Sequence, residues 1–415
     1  MRRMRHADVA VVGGGILGCS AALHLKLRDA GRVVLIERDA IGAGTTSAGA
    51  GLLARWSAGF VPAWGDDELA LESYGLDFYR ELSRGHRLGH RAIGMLFIGS
   101  ARASGRRGLQ ALAHRDGGAV LTPGEVERLT HGFIRAKGVA GGVFDPRGAR
   151  VSAAAAARAL ARSFSTRGGV ALEHEPVGSV RRRRAGGFVL ETSAGPLACE
   201  SLVVAAGAWT NAVLRRLGTW LPLVPLVATR LTTEPVPTPE ALPAIQFCDG
   251  RRLYVRDDDG RLTWGCGYER PPRYALVDRE APHRRDGLEA DPVPEMEGAA
   301  RELTEAIPAL GRTGTIRAVH GAPCYTPDLR PLIGELPSQP GLFVVAGDNY
   351  AGVTHAPAAG RLLAELVTGA RDTSVDPRPY RPERFDDEYR TEAEVVSAMR
   401  LTGARTALAA SRRAA

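Results

Sequence analysis

The apolar positions of this chain change period several times, and the changes mark its elements. Residues 8–12, apolar after Asp8, read as a buried parallel strand, and Val33–Ile36 reads as a second. Between them Ala21, Ala22 and Leu25 recur at helical spacing, in a helix that should end near Gly31. A further helix is expected over 67–82, with Leu71, Tyr74 and Phe78 on one face. Thr122-Pro123-Gly124-Glu125 carries a helix-start pattern of cap, proline at the first position and glutamate at the third. An alanine-rich helix spans 151–167 and stops at Gly168 and Gly169. Residues 170–206 alternate strands and turns, and 221–275 are β-rich with breaks at Pro235, Pro237 and Pro239. A last helix covers 355–369. Beyond about residue 386 the chain is charged and then rich in alanine and arginine, which suggests a surface helix or disorder rather than a domain.

The turn between the first strand and the first helix carries chemistry. Gly13-Gly14-Gly15-Ile16-Leu17-Gly18 contains GxGxxG inside a strand–turn–helix–strand unit. In such a unit Gly13 makes the tight turn, Gly15 lets a pyrophosphate approach the backbone, and Gly18 packs helix on sheet. The helix N-terminus offers NH groups and a positive dipole end to phosphate. The second strand ends on Glu37, about 20 residues beyond the glycines, where an acidic side chain accepts hydrogen bonds from ribose hydroxyls. Dinucleotide binding follows, without a choice between NAD and FAD. Residues 41–53 then form a long loop of small and hydroxylated residues, able to lie against a flat ligand.

Composition removes some alternatives. The 415 residues carry a formal charge of +8 and 44% apolar residues, enough for about two or three domains without disulfides or metals. Of 54 basic residues only Lys26 and Lys137 are lysine, so amine chemistry has almost no candidates. The arginines are dispersed. Their one dense run, Arg181 to Arg184, reads as a hairpin tip rather than an RNA patch, so no nucleic-acid partner is expected. The basic start and apolar stretch 9–17 resemble a signal peptide superficially, but the glycines make a poor apolar core. No apolar run reaches the length of a membrane span. Cys19, Cys199, Cys248, Cys266 and Cys324 show no metal or redox spacing, which fits free thiols in a reducing, cytoplasmic setting.

Four collinear segments resemble the D-amino-acid oxidase superfamily of FAD enzymes, which includes glycine oxidase, sarcosine oxidase and dimethylglycine dehydrogenase. They are residues 6–53; Leu202-Val203-Val204-Ala205-Ala206-Gly207-Ala208-Trp209; Thr326-Pro327-Asp328-Leu329-Arg330-Pro331-Leu332-Ile333-Gly334, similar to a TPDGxPxIG stretch; and 342–360 with its glycine loop and helix. The resemblance spans roughly 6–385. It implies an α/β fold: a Rossmann-like FAD-binding domain (6–80, 145–215 and 325–385) with an inserted mixed-sheet, α+β substrate domain (81–144 and 216–324), followed by the tail 386–415. It also implies that Gly13, Gly15, Ile16, Gly18, Glu37, Arg38, Thr45, Thr46, Ser47, Gly51, Leu52, Val177, Ala206, Gly207, Trp209, Gly347, Gly352, Val353 and Thr354 serve FAD. Val177 is expected to meet the adenine edge through its backbone.

The chemistry implied is oxidation of a C–N bond in an amino acid or secondary amine. Hydride passes to flavin N5, an imine results, and O2 or another acceptor takes the electrons. Tyr254 matches a substrate-contacting tyrosine of glycine oxidases. Arg55 resembles the arginine that holds the substrate carboxylate in sarcosine oxidases. Tyr350 and His320 complete the candidate catalytic set. Several family positions differ. Pro323 and Tyr350 stand where other members have arginines. Gly265 stands where sarcosine oxidases place a lysine. Gly321 and Ser47 stand where other members attach FAD covalently, so FAD is expected to be non-covalent. The rival readings are a flavin monooxygenase using NAD(P)H, to which Gly347-Asp348 bears a slight likeness, and a non-catalytic nucleotide- or RNA-binding protein.

Overall fold

Two eight-stranded sheets organise the chain in a computed structural model that describes residues 4–58, 64–116, 120–249, 253–266, 293–349, 351–386 and 388–399. The first sheet runs in the order Leu332–Glu335, Leu342–Ala346, Gly195–Val204, Arg5–Val12, Val33–Ile36, Val170–Leu172. Arg5–Val12 pairs in parallel with Gly195–Val204 on one side and Val33–Ile36 on the other. Val9–Val12, Val33–Ile36 and Leu202–Val204 are buried, which is why these segments read as continuous apolar runs rather than alternations. The hairpin Val177–Arg182/Phe188–Thr192 joins Gly195–Val204 antiparallel, so the arginine run does lie at a hairpin tip.

The helices Ile16–Leu27, Ala153–Ser165 and Gly352–Val367 contribute to the large core beside this sheet. Ile16–Leu27 and Gly352–Val367 approach so closely that a Cβ on Gly360 would strike Ser20. Each fully buried leucine in this core, such as Leu25 or Leu362, contributes about 1.5–3 kcal/mol.

The second sheet is mixed. Its order is Thr315–Gly321, Ala228–Pro235, Arg261–Gly265, Tyr254–Asp257, Ala244–Phe247, Met95–Ser100, Val139–Asp145, Val120–Leu121. Every pairing is antiparallel except that of Ala244–Phe247 with Met95–Ser100. The helix Pro123–Leu129 starts at the expected reciprocal cap between Thr122 and Glu125.

Some expectations need correction. The stretch 41–53 is not all loop: Thr45–Ala48 makes one helical turn, and Leu52–Leu53 pairs with Ala149–Arg150. The alanine-rich helix is shorter than 151–167, because Ser152 caps it at Ala155 N. The last helix begins at Gly352, three residues before the expected start. In the tail, 392–399 is helical, in line with the surface-helix alternative, with Val395 buried against Val224, Leu226 and Tyr325. Residues 267–275 of the β-rich stretch and 400–415 of the tail lie outside the described residues.

Candidate active site

A cavity of about 810 Å³ begins at the glycine turn and ends on the second sheet. Ligand pockets commonly span about 300–1,000 Å³, so this one suits a large ligand. Its nucleotide end is built by backbone constraints. Gly13 sits at φ +114°, and a Cβ there would strike Ala205 O. A Cβ on Gly18 would strike Gly13 O, so Gly18 serves close packing and stays off the cavity wall. At Gly15 a Cβ would meet only Thr46 Oγ1, at 3.4 Å, leaving the approach from the cavity open. Gly15 is also the N-cap of Ile16–Leu27 and supplies no side-chain cap. The Ile16 NH donates to Thr46 Oγ1 at 3.0 Å, which ties the helix start to the turn Thr45–Ala48. Glu37 accepts from Gly14 N at 2.6 Å and from Asp39 N at 2.8 Å, so its carboxylate is fixed at the end of the second strand.

Other nucleotide-end candidates meet on the same wall. Arg38 stacks its guanidinium on the Trp209 ring, 4.3 Å from the centroid. Val177 lines the cavity, and its carbonyl accepts from Arg216 Nη1 at 2.6 Å. Thr45, Thr46, Gly51, Leu52, Ala206, Gly207, Gly352 and Val353 also line it. Thr45 Oγ1 accepts from Ala322 N at 3.0 Å, and Gly51 adopts φ +69°.

Three expected contacts are turned elsewhere. Ser47 Oγ donates back to Ala43 O and Gly44 O, as a helical hydroxyl does, and is not on the wall. Thr354 is buried, donating to Leu52 O and accepting from Trp56 Nε1. Gly347 makes a turn at φ +69° without lining the cavity.

At the far end stand Tyr254, Gln246, Arg230, Cys266 and Thr229. Burial pushes the Tyr254 hydroxyl up to about 12, against the opposing pull of Arg230 and Arg256. It is therefore a neutral donor across the physiological range. Arg230 donates from Nε to Ala48 O at 3.1 Å and from Nη2 to Ser47 O at 3.2 Å. Asp348 lines the cavity, and burial pushes its carboxyl up to about 6, with its own backbone NH and His355 opposing.

The other candidate catalytic residues separate from this group. Arg55 is off the wall, because its Nε is paired at 2.8 Å with the buried Asp145. His320 is also off the wall, with Nδ1 2.8 Å from Thr229 Oγ1 on the neighbouring strand. Tyr350 lies outside the described residues. Sequence reading passed over Arg230, Gln246 and Asn349, and named Asp348 only for the rival monooxygenase reading. Only Asn349 carried a local signal, as a residue type that tolerates the left-handed region; it adopts φ +50° with Nδ2 donating to Gly347 O.

A dinucleotide-type glycine turn whose cavity continues onto a second, mixed sheet is the arrangement of a nucleotide-binding protein with room for a further ligand. Comparison with known proteins narrows the class. The chain matches the DAO family, described as FAD dependent oxidoreductase, over residues 8–366, and it belongs to that family. It is 31% identical to the mitochondrial sarcosine dehydrogenase of Homo sapiens over 381 residues, covering 88% of this chain and 40% of that protein. The chain thus spans about two fifths of the length of that relative. With the glycine oxidase of Pseudomonas putida it shares 28% identity over 397 residues, 91% of this chain and 98% of the relative. The crystal structure of glycine oxidase from Geobacillus kaustophilus superposes with TM-score 0.77 at 26% identity, covering 92% of this chain and 99% of that one.

The residues present fit FAD. The bare Gly15 cradle and the helix start without a side-chain cap suit a pyrophosphate, and the fixed Glu37 carboxylate suits a ribose. The two positions compared with covalent anchors of other members have a simple geometry here. A side chain at Gly321 would press on Ala48 Cβ at 2.9 Å, and Ser47 faces its own helix.

Proposed function

We propose that this protein oxidises the C–N bond of an amino acid or secondary amine, with non-covalently held FAD as the acceptor of the first electron pair. The observation that carries this reading is the single cavity that joins the dinucleotide turn at Gly13 to Tyr254 and Arg230 on the second sheet. The names of the glycine oxidase and sarcosine dehydrogenase relatives support the substrate class.

FAD, when bound, supplies the two-electron acceptor that takes hydride from the carbon next to nitrogen. The chain's own residues bind, orient and desolvate. Gly13, Gly15 and the start of Ile16–Leu27 hold phosphate, while Glu37 and Val177 position the adenosine end. The turn Thr45–Ala48, tied to Ile16 by Thr46, fixes the floor of the cavity. Tyr254, protonated because it is buried, donates a hydrogen bond to the substrate without adding charge. No obligatory acid–base pair is required, since an amine that arrives neutral needs only its C–H directed at the acceptor. We read the first sheet and its helices as the cofactor domain and the second sheet as the substrate domain. The five cysteines, none in a disulfide, support a reducing compartment, and we place the protein in the cytoplasm.

The test is product analysis. Oxidation of a secondary amine should release one carbonyl compound and one primary amine per acceptor reduced. Substrate hydroxylation with stoichiometric NAD(P)H consumption would replace this reading by a monooxygenase.

A further inference from the structure

Among the described residues Arg230 makes no ion pair. Its strand, Ala228–Pro235, lies beside Arg261–Gly265, which in turn lies beside Tyr254–Asp257. Leu231 stands opposite Trp264, Trp264 opposite Val255, and Gly265 opposite Tyr254. Arg230, Gly265 and Tyr254 therefore occupy one row across three strands, and cross-strand neighbours share a face. Arg230 and Tyr254 both line the cavity, and Gly265 between them has no side chain.

The hydrogen bonds of Arg230 go to two neutral carbonyls, Ser47 O and Ala48 O. They hold the guanidinium in place without neutralising it, and Nη1 makes no hydrogen bond among the described residues. The charged groups around it do not balance it. Asp258 is paired with Arg256 at 2.7 Å, and Arg317 adds further positive charge. Burial lowers the Arg230 pKa, so the charge is held there at a cost that a bound anion would offset.

We propose that Arg230, with Tyr254 beside it, is the anchor for the carboxylate of the substrate, and that the protein therefore acts on amino acids rather than on amines lacking a carboxylate. This rests on the C–N oxidation reading and deepens it. Arg55 cannot fill the same role from its pairing with Asp145. A carboxylate on Arg230 also meets a guanidinium already bonded to the turn Thr45–Ala48, so substrate position and cavity floor are set by one side chain.

The probe is acetate, which cannot be oxidised, set against its neutral isostere acetamide. Binding to the flavin-loaded protein is followed by perturbation of the flavin absorbance and by calorimetry. Acetate should bind at least about ten-fold more tightly than acetamide, and R230Q should weaken acetate by about ten- to hundred-fold. R230Q keeps donors for Ser47 O and Ala48 O, and R230K keeps the charge and should retain part of the affinity. Equal binding of acetate and acetamide by the unaltered protein would overturn the proposal, whatever the variants do. So would R230Q that holds its flavin and binds acetate as the parent does. Turnover is not involved. Amino-acid oxidation with indifference to acetate refutes only the anchor, and acetate binding without amine oxidation refutes only the proposed reaction.

Discussion

The ring of Tyr254 lies across the bare backbone of Gly265: a Cβ built on Gly265 would come within 2.7 Å of Tyr254 Oη and 2.8 Å of two ring carbons. By the resemblance to sarcosine oxidases, Gly265 stands where a lysine was expected. Here the ring occupies that space, and the departure from the family pattern has a steric counterpart. Gly265→Ala should therefore displace Tyr254 from the cavity or strain the strand pair, at about 1–3 kcal/mol. The expected readout is a lower Tm together with a raised KM for substrate. Normal values of both would show that the ring has room to spare.

Arg55 and Arg230 should separate in their consequences. Arg55→Ala leaves the buried Asp145 carboxylate without its arginine, which should cost about 3 kcal/mol in denaturant unfolding. Acetate affinity should stay close to that of the parent. A large loss of carboxylate binding with unchanged stability would return Arg55 to the substrate site.

Asp348 should make stability depend on pH. Its folded pKa of about 6 lies above the ordinary 3.8. Its contribution is therefore fully present below pH 4 and is lost as pH rises through about 6. The total loss is up to about 3 kcal/mol. Asp348→Asn should remove this slope, so that the variant gains on the parent between pH 4 and 7 in thermal unfolding. Parallel pH profiles for the two would place the ionisation elsewhere.

Non-covalent attachment has a direct readout. Acid precipitation should leave the yellow colour in the supernatant, because Gly321 carries no thiol and Ser47 faces Ala43 O and Gly44 O. Colour retained in the washed pellet would point to a covalent link, with Cys324 and Cys266 the thiols on the cavity wall.

The nucleotide end of the site was legible in the sequence because its logic is local. Gly13, Gly15, Gly18 and Glu37 lie within one strand–turn–helix–strand unit, where spacing alone sets geometry. The substrate end was not. With arginine supplying nearly all the basic residues, residue type cannot say which one reaches the cavity. Arg230 is selected by a three-strand register that joins residues 230, 265 and 254, which no local pattern encodes. The direction of Ser47 was not legible because one helical turn rotates successive hydroxyls to different sides, sending Thr46 to Ile16 and Ser47 back to Ala43. Leu329 shows the reverse case. It stands at the glycine of the TPDGxP pattern and adopts φ +63°, so the turn survives a residue that disfavours it.

The central claim is tested most directly by mixing the flavin-loaded protein, without oxygen, with free and N-substituted amino acids and with amines lacking a carboxylate. Amino acids that are substrates should bleach the visible flavin absorbance in a single turnover, and amines without a carboxylate should not. Bleaching by NAD(P)H alone, with none by any amine or amino acid, would contradict the account.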